Sequence, residues 1–114
     1  MCIRDRVARA LNHSIPDNAF ICRWGGDEFI ISVPEDSTTN RDLLADKLCT
    51  NIRCLPLKFK QNTIKLTASI GMTNITSKDT ADSIIKRVDK ALYKAKRNGG
   101  NCSSFLARHS QGEK

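Results

Sequence analysis

Phe20-Ile21-Cys22-Arg23-Trp24-Gly25-Gly26-Asp27-Glu28-Phe29-Ile30-Ile31-Ser32-Val33 places two apolar-rich segments on either side of a glycine pair. Phe20 to Trp24 suits a strand, and Glu28 to Val33 suits a returning one, because aromatic and β-branched side chains pack well on a pleated surface. Gly25-Gly26 is a two-residue hairpin signal, since glycine supplies the positive φ of a tight primed turn. The apolar run Phe29-Ile30-Ile31 predicts burial of the second strand on both faces. Asp27 and Glu28 then stand at the mouth of this hairpin.

Upstream, Val7-Ala8-Arg9-Ala10-Leu11 reads as the end of a helix, and Ser14 to Asn18 as a loop. Downstream, Asn40 is a candidate N-cap for a helix from Arg41 to about Cys54 that Pro56 stops. Its expected buried stripe is Leu44, Leu48 and Ile52, with Leu43 flanking. Leu57 to Lys60 and Ile64 to Met72 read as a strand pair joined by Gln61-Asn62-Thr63. Ala81, Ile84, Ile85, Val88, Ala91, Leu92 and Ala95 follow helical spacing, with Asp79 or Thr80 as cap and Gly99-Gly100 as the stop. Asn101 to Leu106 supplies one more strand, and His109 to Lys114 reads as a frayed tail. This order predicts an α+β fold, a mostly antiparallel sheet flanked by helices.

The 114 residues are enough for one domain with its own core. The net charge of +7 points to an anionic partner or to plain solubility. The five cysteines form no C-x-x-C pair, and His13 and His109 lack ligand spacing, so reduced thiols in a cytoplasmic setting are expected rather than a zinc site or a disulfide framework. No run approaches the length of a membrane span, and no signal-peptide pattern opens the chain. Nucleic-acid binding is not expected, because no RRM, KH or zinc-finger pattern accompanies the charge.

The chemistry-bearing group is Gly25-Gly26-Asp27-Glu28. Glycine lets backbone approach a ligand closely, and paired carboxylates are hard oxygen ligands suited to Mg²⁺ or Mn²⁺. A glycine pair alone more often marks a solvated polar turn.

The longer string Arg23-Trp24-Gly25-Gly26-Asp27-Glu28-Phe29 resembles the signature of GGDEF-domain diguanylate cyclases. Ala68-Ser69-Ile70-Gly71-Met72 is similar to that family's S-I-G strand. Asp89-Lys90-Ala91-Leu92-Tyr93-Lys94-Ala95-Lys96, followed by Asn98-Gly99 and Asn101, resembles its C-terminal helix and exit. The resemblance implies a fold similar to the ferredoxin-like palm of nucleotidyl cyclases and polymerases. It implies condensation of two GTP into cyclic di-GMP with release of pyrophosphate, in a homodimer whose two domains each hold one GTP. Asp27 is the implied metal ligand and general base, and Glu28 a second metal-binding carboxylate, with Mg²⁺ or Mn²⁺ as cofactor. Gly25 and Gly26 are implied to admit the nucleotide, and Lys96 to reach its phosphates. A GTP-binding regulatory domain without catalysis is the alternative.

Three departures qualify this. Gly100 stands where the family often has a second basic residue. Pro16 to Ala19 replaces the family's inhibitory R-x-x-D, so no such site is expected. Residues 1–6 read as a non-native leader, 7–106 as a partial GGDEF domain lacking the first strand and its Asp, and 107–114 as a tail. The chain alone is therefore expected to be inactive, with an exposed sheet edge that favours aggregation. Any membrane attachment would belong to the parent protein.

Overall fold

A computed structural model of the chain describes residues 2–34 and 40–108. They form α1 (Ile3–Ser14), β1 (Phe20–Gly25), β2 (Glu28–Ser32), α2 (Arg41–Arg53), β3 (Leu57–Phe59), β4 (Asn62–Ile64), β5 (Ile70–Met72), α3 (Ala81–Arg97) and β6 (Ser103–Phe105). The chain divides into two compact units, Met1–Leu66 and Thr67–Lys114. The expected α+β class is observed. Its described strands form three two-stranded ladders, β1–β2 and β3–β4 antiparallel and β5–β6 parallel.

In the first unit, β1 and β2 pair from Phe20↔Ser32 to Gly25↔Glu28. The connecting residues are Gly26 and Asp27, one step later than the Gly25-Gly26 loop read from the sequence. Neither glycine has a positive φ, so the turn is not of the primed kind. An unprimed two-residue turn splays its strands, and the ladder adjusts by a register shift between Arg23 and Gly25, leaving Trp24 as the extra residue. The expected burial of both faces of β2 is not met within the chain: Phe29 to Ser32 are half-buried and Glu28 is exposed.

The helix α1 begins at Ile3, four residues before the apolar stretch that announced it. It packs on α2, which Asn40 caps as expected: the Asn40 side chain accepts a hydrogen bond from the Leu43 backbone N–H. Leu48 and Ile52 are buried as read, Leu44 is half-buried, and Ala45 and Cys49 complete the buried face. Leu43 instead points outward. Leu11 and Leu57 join this core. Burying a leucine or isoleucine this far contributes up to about 1.5–3 kcal/mol. Ser14 is buried between the helices, where its hydroxyl donates to the Ala10 carbonyl and accepts from Asn51 Nδ2. After β3 the chain reverses at Lys60, whose φ of 58° is left-handed, and β4 starts at Asn62 inside the expected loop.

The strand expected over Ile64 to Met72 is interrupted: residues 65–69 belong to no strand, and the unit boundary falls between Leu66 and Thr67. In the second unit β5 pairs with β6 and packs on α3. A Cβ on Gly71 would lie 2.6 Å from the Val88 carbonyl oxygen and nearer still to the Leu92 amide nitrogen, so the S-I-G glycine permits helix–strand contact. Ala91 and Ala95 supply the buried face of α3. Thr80 and Ser83 form a reciprocal capping box at its start. Gly99 and Gly100, with φ of 109° and 73°, end it, their backbone N–H groups donating hydrogen bonds to the Lys96 and Ala95 carbonyls. All five cysteines are free. The expected C-terminal tail from His109 onward lies outside the described residues.

Candidate active site

Four of the site residues read from the sequence stand together on the hairpin turn. Gly25 closes β1, Gly26 and Asp27 form the loop, and Glu28 opens β2 opposite Gly25. Asp27 and Glu28 are both exposed. A Cβ built on Gly25 or Gly26 would meet nothing within 4 Å. Neither backbone conformation nor packing within the chain therefore demands glycine at these two positions. What the missing side chains leave is open backbone beside two carboxylates.

The first turn of α1 braces this hairpin. Arg4 donates a hydrogen bond to the Gly26 carbonyl at 3.2 Å, and Asp5 lies 3.6 Å from the Arg23 guanidinium. Arg23 also stands over the Phe29 ring, 5.6 Å from its centroid. The Asp5–Arg23 pair is exposed, a class of ion pair that contributes at most about 1 kcal/mol. Sequence reasoning missed these braces, because the partners lie about twenty residues apart and no periodicity links them.

The donor set at the turn is small. Among the described residues no group of three or more His, Cys, Asp or Glu side chains converges as a metal cage. Two exposed hard carboxylates still suit an ion such as Mg²⁺, which keeps several waters and is commonly held by one or two carboxylates plus substrate phosphates. The residues present fit a cation shared with a phosphate ligand, not one enclosed by protein.

Lys96, the fifth expected site residue, is carried by the second unit. It sits in the last turn of α3 and is exposed. On the same helix Lys86, Lys90, Lys94 and Arg97 are exposed, and Arg97 lies over the Tyr93 ring. Gly100 has a left-handed φ, so a side chain there would be strained by about 1–2 kcal/mol.

The polar group with the most partners lies in the second unit. Asp79, with its side chain 1% exposed, receives both terminal nitrogens of Arg87 at 2.9 Å, Arg108 at 2.8 Å, the Ser83 hydroxyl at 2.7 Å and the Thr76 amide at 2.9 Å. Hydrogen bonding from Arg87, then from Ser83, holds its carboxyl well below the usual carboxylate range. Arg87 also bonds Thr73 Oγ1 and the Asn74 carbonyl, each at 2.6 Å. The cluster ties the loop before α3 to the helix and to the chain beyond β6. The sequence offered Asp79 only as a possible cap, whereas Thr80 is the residue that caps.

Comparison with known proteins places this arrangement. The sequence profile described as "Diguanylate cyclase, GGDEF domain" matches residues 3–102. The chain is 32% identical over 93 residues to diguanylate cyclase DgcP of Pseudomonas aeruginosa, covering 82% of this chain and 14% of that protein. It is 29% identical over 104 residues to the probable diguanylate cyclase DgcF of Escherichia coli, covering 87% and 33%. It thus spans a third or less of the length of these curated relatives. The crystal structure of diguanylate cyclase SiaD from Pseudomonas aeruginosa, solved with its activator SiaC, superposes with a TM-score of 0.82 at 27% identity, over 89% of this chain and 39% of that one. The three matching segments, the α+β order and these likenesses agree, and the chain belongs to the GGDEF family of diguanylate cyclases.

Proposed function

We propose that this chain supplies the carboxylate turn of a diguanylate cyclase, whose complete protein condenses two GTP into cyclic di-GMP and pyrophosphate. The carrying observation is the turn itself: adjacent exposed carboxylates beside two glycines that the fold does not require. Asp27 and Glu28 would hold a divalent cation, Mg²⁺ or Mn²⁺, which when bound offsets charge on the phosphates. Asp27 accepts the proton of the attacking 3′-hydroxyl. That oxygen bonds the α-phosphorus of the other GTP as the bond to the β-phosphate oxygen breaks and pyrophosphate leaves. Gly25 and Gly26 let the nucleotide lie against backbone, and Lys96 neutralises phosphate charge. Two such turns, one per domain, serve the two bonds formed, so the working unit is a homodimer in the cytoplasm, where GTP is found. Among the described residues no helix is long and apolar enough to cross a membrane.

A second reading is a GTP-binding regulatory domain without catalysis. It is favoured by Gly100, where the family often has a basic residue and where the left-handed backbone disfavours one. Cyclic di-GMP formation by the complete parent protein separates the two. The expected result is product from the wild type and a loss of about a hundredfold or more in Asp27→Ala, the scale of removing a group that stabilises transition-state charge. GTP binding without product would select the regulatory reading, and product undiminished in Asp27→Ala would remove Asp27 from the mechanism.

A further inference from the structure

A second concave surface, lined by none of the turn residues, lies between α1 and the chain that leaves α2. It is an open groove of about 500 Å³. Arg6, Arg9 and His13 line it from α1, and Asn51, Cys54 and Pro56 from the opposite wall. The three α1 residues are spaced i, i+3, i+7, which brings them onto one stripe of the helix. No acidic residue lines the groove.

Two hydrogen bonds pre-order its walls. Arg6 donates to the Pro56 carbonyl at 2.8 Å, which holds that guanidinium across the gap with further N–H groups to give. Asn51 Nδ2 donates to Ser14 Oγ at 2.7 Å, which orients this exposed amide and leaves it a second hydrogen to donate. The Arg9 and His13 side chains make no hydrogen bond or ion pair with the other described residues. A solvated helix face would carry its cations outward and interleave them with acids, as α3 does with Asp89 beside Lys86 and Lys90. Here two arginines, a histidine and an amide line one open concavity.

We infer that this groove binds a phosphate group, held by Arg9, His13 and the Asn51 amide, independently of the carboxylate turn. Planar guanidinium forks match phosphate oxygens through paired charge-assisted hydrogen bonds. No divalent cation is needed there, which separates this site from the proposed GTP site.

The test is a backbone NMR titration of the ¹⁵N-labelled 114-residue chain in EDTA. Orthophosphate is added in one arm and glycerol phosphate in another, each against chloride at matched ionic strength. Saturable shifts are expected at Arg9, His13 and Asn51. The Arg9→Gln/His13→Gln double variant should weaken binding by about tenfold or more, the scale of losing charge-assisted bonds. Both positions are exposed, so the variant keeps the fold, and its unperturbed resonances elsewhere verify that. Lys94→Gln on α3 should bind as the wild type does. Binding of both anions identifies a terminal phosphate as the recognised unit, and binding of orthophosphate alone identifies the free ion; either supports the site. Shifts reproduced by chloride, centred on α3, or unchanged in the double variant would overturn it.

Discussion

Gly71 and Gly25 are the same residue type under opposite constraints. At Gly71 a methyl group would press on the backbone of α3, which cannot yield as a side-chain tip does. Gly71→Ala is expected to destabilise the second unit by about 1–3 kcal/mol, the cost of overpacking a close contact. At Gly25 a methyl group meets open space at an ordinary φ. Gly25→Ala is expected to leave stability within about 0.5 kcal/mol, as at other unconstrained surface positions. Paired thermal melts check both; equal losses at the two positions would contradict the distinction. The sequence alone did not separate them. It read Gly25-Gly26 as a turn needing positive φ, because glycine pairs in hairpins usually serve that purpose. The bulge at Trp24, which lets an ordinary φ suffice, depends on strand register and has no one-residue signal. The carboxylates themselves were legible, since their place on a turn follows from the flanking strands.

At the scale of elements, the helices were the most legible part. Their apolar spacing and caps are local, and α2 and α3 are capped by Asn40 and Thr80, both among the caps proposed for them. The strands were less so. Three-residue strands such as β4 and β5 carry too little alternation to mark their ends, and the parallel pairing of β5 with β6 joins segments more than thirty residues apart. The Asp79 cluster was illegible for the same reason: Arg87 and Arg108 lie 8 and 29 residues away. Its energetic consequence is a pH dependence. The Asp79 carboxyl titrates lower in the folded chain than in the unfolded one. Its stabilisation is therefore complete above the ordinary aspartate value of about 4 and is lost as pH falls below it. Asp79→Asn should lower the melting temperature at pH 7, with the gap to the wild type narrowing as the solution is acidified below that value. A gap that stays constant down to strongly acidic pH would refute the role given to the ionised carboxylate.

At the scale of the whole molecule, family and function separate. Membership rests on three segments spread along the chain, and on likeness over most of its length. The proposed function rests on a small set of groups. Two exposed carboxylates stand on a turn that Arg4 and Asp5 brace, and among the described residues no group of three or more His, Cys, Asp or Glu side chains forms a metal cage. The +7 charge is consistent with substrates and ligands that carry phosphate. The central proposal is that Asp27 and Glu28 hold the divalent cation. Paramagnetic broadening of backbone amide signals by Mn²⁺ tests it most directly in this chain. At substoichiometric Mn²⁺, broadening should centre on Gly25 to Phe29, recede on adding excess Mg²⁺, and vanish in Asp27→Asn. Broadening centred elsewhere, or unaltered by that substitution, would contradict the assignment.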